Sequence, residues 1–202
     1  MNSDSRQKII PPDILLNGYR QGLFPMSESR DDDTVSWFTA RKRGILPLNS
    51  FKVSSNVQRI IRRNTYTCRI NSCFRTVVEA CANRNSTWIS ELIINSYEVL
   101  HLAGYAQSVE VFDRDEKLAG GLYGVSLGTA FFGESMFKNS PEADKVALWH
   151  CHQILKMNGF TLWDTQFYTD HLAQFGCVEI SPDEYEKLLE NALAGQADFV
   201  TV

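Results

Sequence analysis

The stretch AFFGESMFKN, residues 130–139, places an acid at the point where a predicted strand ends. Two aromatic residues suited to a strand lead into Gly133, and Glu134 follows with Met136 and Phe137 behind it. A buried carboxylate must find partners or lose its charge. The stretch therefore predicts a strand that opens onto a functional site in which Glu134 has a task.

Length and composition predict a chain able to bury a sizeable core. It has 202 residues, 44% of them hydrophobic, which allows one large domain or a domain with a small appendage. No apolar run reaches the roughly 18 residues of a membrane span, and the first ten residues lack a signal-peptide core. Five cysteines without a CxxC pair favour reduced thiols over disulfides. We therefore expect a cytoplasmic protein.

Positive charge is concentrated in one segment of a chain that is acidic overall. The formal net charge is −4, yet residues 41–84 contain ten Lys or Arg and a single acid, Glu79. A locally basic, globally acidic protein suggests a defined anionic partner. Charge alone leaves open the alternative of a solvated basic face that binds nothing.

The predicted order of elements indicates an α+β fold. From residue 65 the patterns read as a strand, two helices, a meander of strands, then helix, strand, helix and strand. This order is typical of an antiparallel sheet with helices packed on it. Residues 1–50 are expected to form a small N-terminal domain, and residues 51–202 the main domain. Residues 129–132 are predicted as one strand, and Pro141 as the first position of the following helix.

Two motifs with chemical potential are better explained by packing. Residues 150–152, HCH, lie in a predicted helix, where side chains at i and i+2 do not share a face. Structural metal sites need four suitably spaced ligands, so we expect no metal there. The glycine-rich residues 119–124, AGGLYG, lie in a predicted strand pair rather than before a helix. Close strand packing explains them better than phosphate binding.

The stretch WDTQ, residues 163–166, is less easily assigned to packing. Alternation along a strand places Asp164 and Gln166 on one face. An acid and an amide together on an interior strand would form a polar patch with a function. A strand end exposed to water is the equally acceptable alternative.

Seven stretches, spread from residue 18 to about residue 180, resemble the leucyl/phenylalanyl-tRNA–protein transferase family. They are GYRQGLFPM (18–26), WF (37–38) with Arg43 beyond it, TWI (87–89), SVEV (108–111), GGLYG (120–124), FGESMF (132–137) and DTQ (164–166) followed by Asp170 and His171. GYRQGLFPM and GESMF are the specific ones.

The resemblance implies a GNAT (acetyltransferase-like) fold joined to a small N-terminal domain. In acetyltransferases a glycine-rich turn holds the coenzyme A pyrophosphate on backbone N–H groups. The corresponding turn is expected at residues 133–138, where Glu134 would repel a pyrophosphate. We therefore expect this turn to serve a different donor, whose acyl group is an amino acid.

The function implied by the resemblance is transfer of Leu or Phe from aminoacyl-tRNA to the α-amine of proteins that begin with Arg or Lys. This transfer marks those proteins for N-end rule degradation. The ester is already activated, so no ATP, metal or other cofactor is expected. The implied partners are the aminoacyl-tRNA and the acceptor proteins, with no membrane partner, and we expect a monomer.

The resemblance also implies roles for individual residues. Asp164 would attract the α-amino group and help to accept its proton, Gln166 would hydrogen-bond the reacting centre, and Glu134 would orient Gln166. Whether Asp164 is the base or only positions the amine stays open. Trp37 and Trp88 would flank the terminal adenosine.

Two larger sets complete the implied site. The apolar pocket for the donor side chain consists of Leu122, Phe131, Met136 and Leu148. Phosphate contacts to the acceptor arm come from Arg41, Lys42, Arg43, Arg59, Arg62 and Arg63.

Three rival functions stay open at this point. A GNAT-type N-acetyltransferase would use acetyl-CoA and would need the pyrophosphate turn. A non-catalytic tRNA-binding module would use only the basic face. A cell-wall aminoacyl transferase would share the donor chemistry but usually has a longer, duplicated chain.

Overall fold

A computed structural model describes residues 8–200. The helices are α1 (Pro12–Arg20), α2 (Ser55–Arg62), α3 (Phe74–Ala82), α4 (Glu91–Leu102), α5 (Ala143–Met157), α6 (Asp170–Ala173) and α7 (Pro182–Ala194). The strands are β1 (Phe24–Met26), β2 (Ser36–Phe38), β3 (Arg43–Ile45), β4 (Thr67–Ile70), β5 (Ala106–Phe112), β6 (Leu118–Leu127), β7 (Ala130–Lys138), β8 (Leu162–Gln166) and β9 (Val178–Ile180).

Seven of these strands form one sheet in the order β4-β5-β6-β7-β8-β3-β9, and β1 pairs with β2 in a separate ribbon. All neighbouring pairs of the large sheet are antiparallel except β7 and β8, which are parallel. Parallel neighbours need a crossover, and α5 provides it. The predicted combination of a mainly antiparallel sheet with packed helices is confirmed.

The strand β3 belongs to the large sheet although it lies within the first fifty residues. Gly44 pairs with Gln166 of β8 on one side and with Glu179 of β9 on the other. The expected division into residues 1–50 and 51–202 stays a prediction. The pairing of β3 favours a boundary before Arg43.

Helices cover both faces of the sheet and bury two apolar clusters. One cluster joins α1, α3, α4 and α7 to the sheet through residues such as Leu15, Val77 and Ile93. The other joins α2, α5 and α6 to the opposite face through residues such as Val57 and Leu148. We call these the α1 layer and the α5 layer.

Serine caps start three helices as their sequences predict. The hydroxyl oxygens of Ser54, Ser90 and Ser181 accept hydrogen bonds from backbone N–H groups three residues later. The start of α5 differs from the prediction, because the helix begins at Ala143 rather than at Pro141. The residue before it, Glu142, has a φ of 64°, so the chain turns sharply before it can enter the helix.

The prediction of a strand that ends near residue 132, with a turn at residues 133–138, is wrong. The strand β7 continues to Lys138 and pairs with β6 along its length. Gly133 lies opposite Gly124, and Ser135 lies opposite Tyr123, which leaves Glu134 as an extra residue. This is a β-bulge, which bends the strand and re-aims the side chains that follow.

The bulge reverses the alternation of side chains along β7. Before it, Phe132 faces the α1 layer and Phe131 faces the α5 layer. After it, Phe137 faces the α1 layer and Met136 faces the α5 layer. A regular strand would place residues 132 and 136 on the same face. Sequence alternation alone therefore cannot assign the faces of this strand.

We expect Gly124→Ala to destabilise the fold at the bulge. A Cβ atom at Gly124 would lie 2.4 Å from the Phe132 carbonyl oxygen and 2.5 Å from the Phe131 ring. Overpacking of this kind costs about 1–3 kcal/mol. Urea unfolding measures the loss.

The matched control is Gly104→Ala, because Gly104 has no atom within 4 Å of the added Cβ but has a φ of +87°. That variant should lose only the conformational cost of about 1 kcal/mol. A Gly124→Ala protein as stable as the wild type would contradict the close packing at the bulge.

Candidate active site

A cleft of about 680 Å³ opens where β7 and β8 separate. The parallel ladder between the two strands ends at Phe132 and Asp164, so β7 has no strand partner on this side beyond that point. Residues that line the cleft include Phe24, Met26, Arg84, Trp88, Glu134, Met136, Lys138, Asp144, Gln166 and His171.

Glu134 lies at the centre of a network of hydrogen bonds inside the cleft. The Tyr19 hydroxyl donates to Glu134 Oε1 at 2.7 Å, and Gln166 Nε2 donates to the same oxygen at 3.2 Å. Tyr19 also shares a hydrogen bond with the buried Tyr97 hydroxyl. Burial raises the pKa of Glu134 to about 7, although the tyrosine hydrogen bonds oppose this rise. A carboxyl group with this pKa can exchange its proton near neutral pH.

Asp164 lies behind the cleft in a buried ion pair. Its side chain is 0% exposed, and Arg43 donates to both of its oxygens, with Nε at 2.8 Å from Oδ1 and Nη2 at 2.7 Å from Oδ2. The Tyr185 hydroxyl donates to Oδ2 at 2.7 Å, and the Gln166 backbone N–H donates to Oδ1 at 2.8 Å. Both oxygens are therefore occupied by partners within the protein, which favours a positioning role over direct contact with an amine.

The expectation that Arg43 contacts tRNA phosphates is wrong. Its side chain is 2% exposed, its Nη1 donates to the Gly22 carbonyl oxygen at 2.8 Å, and its guanidinium packs against the rings of Phe24 and Tyr185. Burial alone would lower the pKa of Arg43, but the Asp164 carboxylate raises it overall. The guanidinium is a fixed internal charge, out of reach of a phosphate.

Gln166 connects the buried pair to the cleft. Its φ of 57° is uncommon for a residue other than glycine, and it ends β8. This conformation turns the backbone N–H of Gln166 towards Asp164 while the side-chain amide reaches Glu134. No residue between 8 and 200 donates a hydrogen bond to its Oε1, so this oxygen can accept one from a ligand.

The four residues implied for an apolar pocket do come together. Leu122, Phe131, Met136 and Leu148 line a cavity of about 80 Å³, which we call the apolar slot. Glu134 lines both the slot and the larger cleft. The slot lies on the α5 side of the sheet because the bulge turns Met136 to that face.

The two tryptophans implied for adenosine binding are placed differently. Trp88, in the loop between α3 and α4, lines the cleft. Trp37 lies outside that lining and packs on α1, where a Cβ atom at Gly18 would lie 2.1 Å from its ring. Of the two, Trp88 is the one placed to stack on a base in the cleft.

The remaining basic residues implied for tRNA binding are exposed. Arg59, Arg62 and Arg63 lie on α2 or at its end, and Arg41 precedes β3. Lys42 forms a loose ion pair with Glu179 at 3.7 Å. All five side chains remain available to an anionic partner.

Several residues of this site could not be found in the sequence. Tyr19 belongs to the GYRQGLFPM stretch, but nothing in that stretch marks its hydroxyl as a partner of Glu134. Tyr97 and Tyr185 reach the site from helices distant in sequence, with no local signal.

Asp144 and His171 form a second polar pair at the cleft. Asp144 is buried in the first turn of α5, with Oδ2 at 3.6 Å from His171 Nε2, and burial lowers the pKa of His171.

Between residues 8 and 200, no three His, Cys, Asp or Glu side chains are arranged to hold a metal ion. Cys151 and His152 are buried, as the packing interpretation predicts, whereas His150 is half-buried. His152 shares hydrogen bonds with the Leu48 carbonyl oxygen and with the Gln153 side chain. In the same part of the chain, no helix has the length and apolar character that a membrane crossing requires.

Fold and cleft together place an ionisable carboxyl, an amide and an apolar slot at the separated edge of a sheet. The solved structure of FemX is similar in fold, with a TM-score of 0.52 and 13% sequence identity. The match covers 78% of this chain and 60% of the FemX chain.

The chain belongs to the leucyl/phenylalanyl-tRNA protein transferase family. The model of that family matches residues 45–190, and the model of its N-terminal domain matches residues 9–41. A leucyl/phenylalanyl-tRNA–protein transferase of Dinoroseobacter shibae is 49% identical, over 94% of this chain and 84% of the relative. One of Ruegeria pomeroyi is also 49% identical, over 96% of this chain and 91% of the relative.

We expect Arg43→Met to be strongly destabilising, because it leaves the Asp164 carboxylate buried without its counter-charge. Breaking a buried pair in this way costs about 3–5 kcal/mol. Adding Asp164→Leu should recover part of that loss, since no unpaired charge then remains. Urea unfolding of both variants measures the two effects.

The exposed neighbour Lys42 is the control, and Lys42→Met should change the free energy of unfolding by less than about 1 kcal/mol. If Arg43→Met changed the free energy of unfolding as little as Lys42→Met, the buried ion pair of Arg43 and Asp164 would not contribute to stability as described.

Glu134 should lower stability as the pH rises, and Glu134→Gln should remove this effect. The folded-state pKa of about 7 lies above the ordinary value of 4.5, so the folded state binds the proton more tightly. The free energy of unfolding therefore falls as the pH rises from about 4.5 to about 7. The free energy of unfolding of Glu134→Gln, measured relative to that of the wild type, should therefore be about 1–3 kcal/mol higher at about pH 8 than at about pH 4.5. Urea unfolding at both pH values tests this, and an unchanged difference would contradict it.

Proposed function

We propose that this chain transfers Leu or Phe from aminoacyl-tRNA to the α-amine of proteins with N-terminal Arg or Lys, marking them for N-end rule degradation. Membership of the leucyl/phenylalanyl-tRNA protein transferase family supports the donor and the reaction. The observation that carries the proposal is the meeting of Glu134 and Gln166 at an apolar slot. The slot takes the amino-acid side chain, and the two polar groups lie where the ester and the amine would react.

The proposed catalytic part has the GNAT fold and follows a small N-terminal domain. Support comes from the parallel pair β7 and β8, which separate at the cleft, and from the likeness in fold to FemX. The participation of β3 in the large sheet supports a boundary before Arg43 rather than at residue 50. We further propose a monomer acting in the cytoplasm, where aminoacyl-tRNA is available.

The volume of the slot favours Leu over Phe as the donor side chain. The slot encloses about 80 Å³. A cavity of about 150 Å³ is known to accept a benzene ring, so a Phe ring requires the slot to widen. Met136 forms one wall, and its unbranched, flexible side chain can move to admit the larger ring.

The reaction is aminolysis of the ester that joins the amino acid to the terminal ribose. The α-amine has an ordinary pKa of about 7.7–8.0, and it must be neutral to attack. Gln166 Oε1 accepts a hydrogen bond from the amine, and this contact directs the lone pair of the amine nitrogen to the ester carbon. Glu134 holds Gln166 in this orientation through Nε2, and Asp164 holds the backbone of the same residue.

Glu134 is the proposed proton acceptor in place of Asp164, because its oxygen faces the cleft and its pKa is about 7. As the new C–N bond forms, the proton on nitrogen passes to the Glu134 carboxylate. The tetrahedral oxyanion then re-forms the carbonyl, and the C–O bond to the ribose breaks. The ribose oxygen takes the proton from Glu134, which leaves a free tRNA and a peptide lengthened by one residue.

The exposed basic residues bind the tRNA body in this proposal. Arg59, Arg62 and Arg63 present three charges from α2, with Arg41 and Lys42 beside β3. Contacts of this kind neutralise phosphates and give affinity without reading sequence. Choice among charged tRNAs then depends on the apolar slot.

An acetyl-CoA donor is disfavoured by the connection between β7 and α5. A pyrophosphate would approach the positive end of α5, where the buried Asp144 lies in the first turn. Glu142 occupies the N-cap position without a side-chain cap and is paired with Lys145 at 2.9 Å. Asp144 at this position disfavours a diphosphate.

We expect the wild type to transfer labelled Leu to Arg- and Lys-initiated peptides, with Phe a poorer donor. Met-charged tRNA and acceptors that begin with Asp or Glu complete the comparison. Preference for acidic acceptors, or no transfer from Leu-tRNA, would contradict the proposal.

The pH dependence of kcat/KM should reveal Glu134. In the wild type, activity should rise with pH through about 7, as Glu134 ionises, and again near 8, as the amine deprotonates. Glu134→Gln should lose the first rise and at least about 100-fold in activity. The exposed Glu186→Gln serves as the control and should match the wild type. A Glu134→Gln enzyme that keeps both rises would exclude Glu134 as the proton acceptor.

A further inference from the structure

The loop between α3 and α4 supplies more than an aromatic platform to the cleft. Asn83 and Arg84 line the cleft together with Trp88, and Lys138 lines it from the end of β7. Arg84 and Lys138 are exposed cations that line the cleft with the Trp88 ring. The proposed reaction gives them no role, because it requires groups that accept a hydrogen bond or a proton from the amine. Arg84 has so far been counted only within the basic segment 41–84, and neither residue belongs to the set implied for tRNA phosphates.

Arg84 is held in place by neutral groups. Its Nη2 donates to the backbone carbonyl oxygen of Met136 and, at 3.5 Å, to the Ser135 hydroxyl. Within residues 8–200, no salt bridge joins Arg84 or Lys138 to a carboxylate. The guanidinium is therefore anchored to the strand that carries the bulge, yet its charge is not neutralised.

Another arginine, on α3, shows how differently this chain treats a structural cation. Arg75 forms ion pairs with Glu79 at 2.8 Å, with Glu91 at 2.8 Å and with Glu98 at 2.6 Å. Its charge is satisfied within the protein. Arg84 has no such partner between residues 8 and 200, so its charge is open to an anion from outside.

Charge and position identify that anion, on the basis of the proposed function. The terminal adenosine of the donor stacks on Trp88, and the nearest negative charge in the donor is the phosphodiester that precedes this adenosine. The acceptor cannot fill this position, because it begins with a cationic residue. We propose that Arg84 and Lys138 bind the last phosphodiester of the aminoacyl-tRNA.

This contact makes the cleft specific for an aminoacyl nucleotide rather than for an aminoacyl nucleoside. Arginine presents donors that match two phosphate oxygens at once, and its anchoring to β7 fixes that fork before the donor arrives. Lys138 adds a second charge from the end of the same strand. The ester is then positioned from two points, the phosphodiester and the side chain in the apolar slot.

The test uses two stable donor mimics that differ by one cytidylyl group, which adds the phosphodiester together with its cytidine. The first is 3′-leucylamido-3′-deoxyadenosine, and the second carries a cytidylyl phosphate on the 5′ oxygen of that compound. Calorimetric titration of the wild type should show tighter binding of the second. Arg84→Gln should weaken the second by about tenfold or more and the first by less than about twofold. Lys138→Gln should act in the same direction with a smaller loss, and Arg84→Lys should retain part of the difference.

The control variant is Arg114→Gln, which removes an exposed arginine from the β5–β6 turn, outside the cleft lining. It should bind both mimics as the wild type does. Equal weakening of both mimics by Arg84→Gln, or no weakening of either, would overturn the assignment. Because the titration needs no turnover, a protein that distinguishes the mimics but transfers no Leu would refute the proposed reaction and leave the phosphodiester site standing.

Discussion

The single extra residue in β7 is the constraint on which the rest of the site depends. Because Glu134 has no partner on β6, the strand can place Phe132 and Phe137 in one core and still turn Met136 into the apolar slot on the other face. The same bulge brings the Glu134 carboxyl within reach of Tyr19 and Gln166. A regular strand would force a choice between the core and the slot.

A buried ion pair gives the bulge a fixed counterpart across the cleft. Arg43, Asp164 and Tyr185 come from β3, β8 and α7, and their side chains meet in the protein interior. Such a pair is stable only when every partner is present, since each charge has lost its water. Its function follows from its rigidity, because the Gln166 backbone rests on Asp164 while the side chain reaches Glu134. Two carboxyl groups thus have different surroundings, one in a buried ion pair and one lining the cleft.

The sequence could predict what depends on local chemistry and could not predict what depends on distant partners. Serine caps, strand-forming segments and the acid at residue 134 are local signals, and the structure contains each of them. The apolar slot followed from the family resemblance, and its four residues do line one cavity. The bulge was not predictable, because one extra residue alters register without altering composition.

Arg43 shows the same limit most clearly. Its neighbours Arg41 and Lys42 are exposed, and the tripeptide reads as a basic surface turn. Only the pairing of β3 with β8 and β9 turns the third cation inward to a carboxylate 121 positions away. Arg84 was counted in the basic segment, but its position at the cleft depends on where the loop after α3 meets β7.

The most direct measurement is the pKa of the Glu134 carboxyl group itself, followed by the ¹³C chemical shift of a glutamate-labelled protein and assigned with Glu134→Gln. If the bulge buries this group among tyrosines as described, it titrates near 7 in the free enzyme. A titration near the ordinary value of 4.5 would show a solvated carboxylate and would contradict the account of the site.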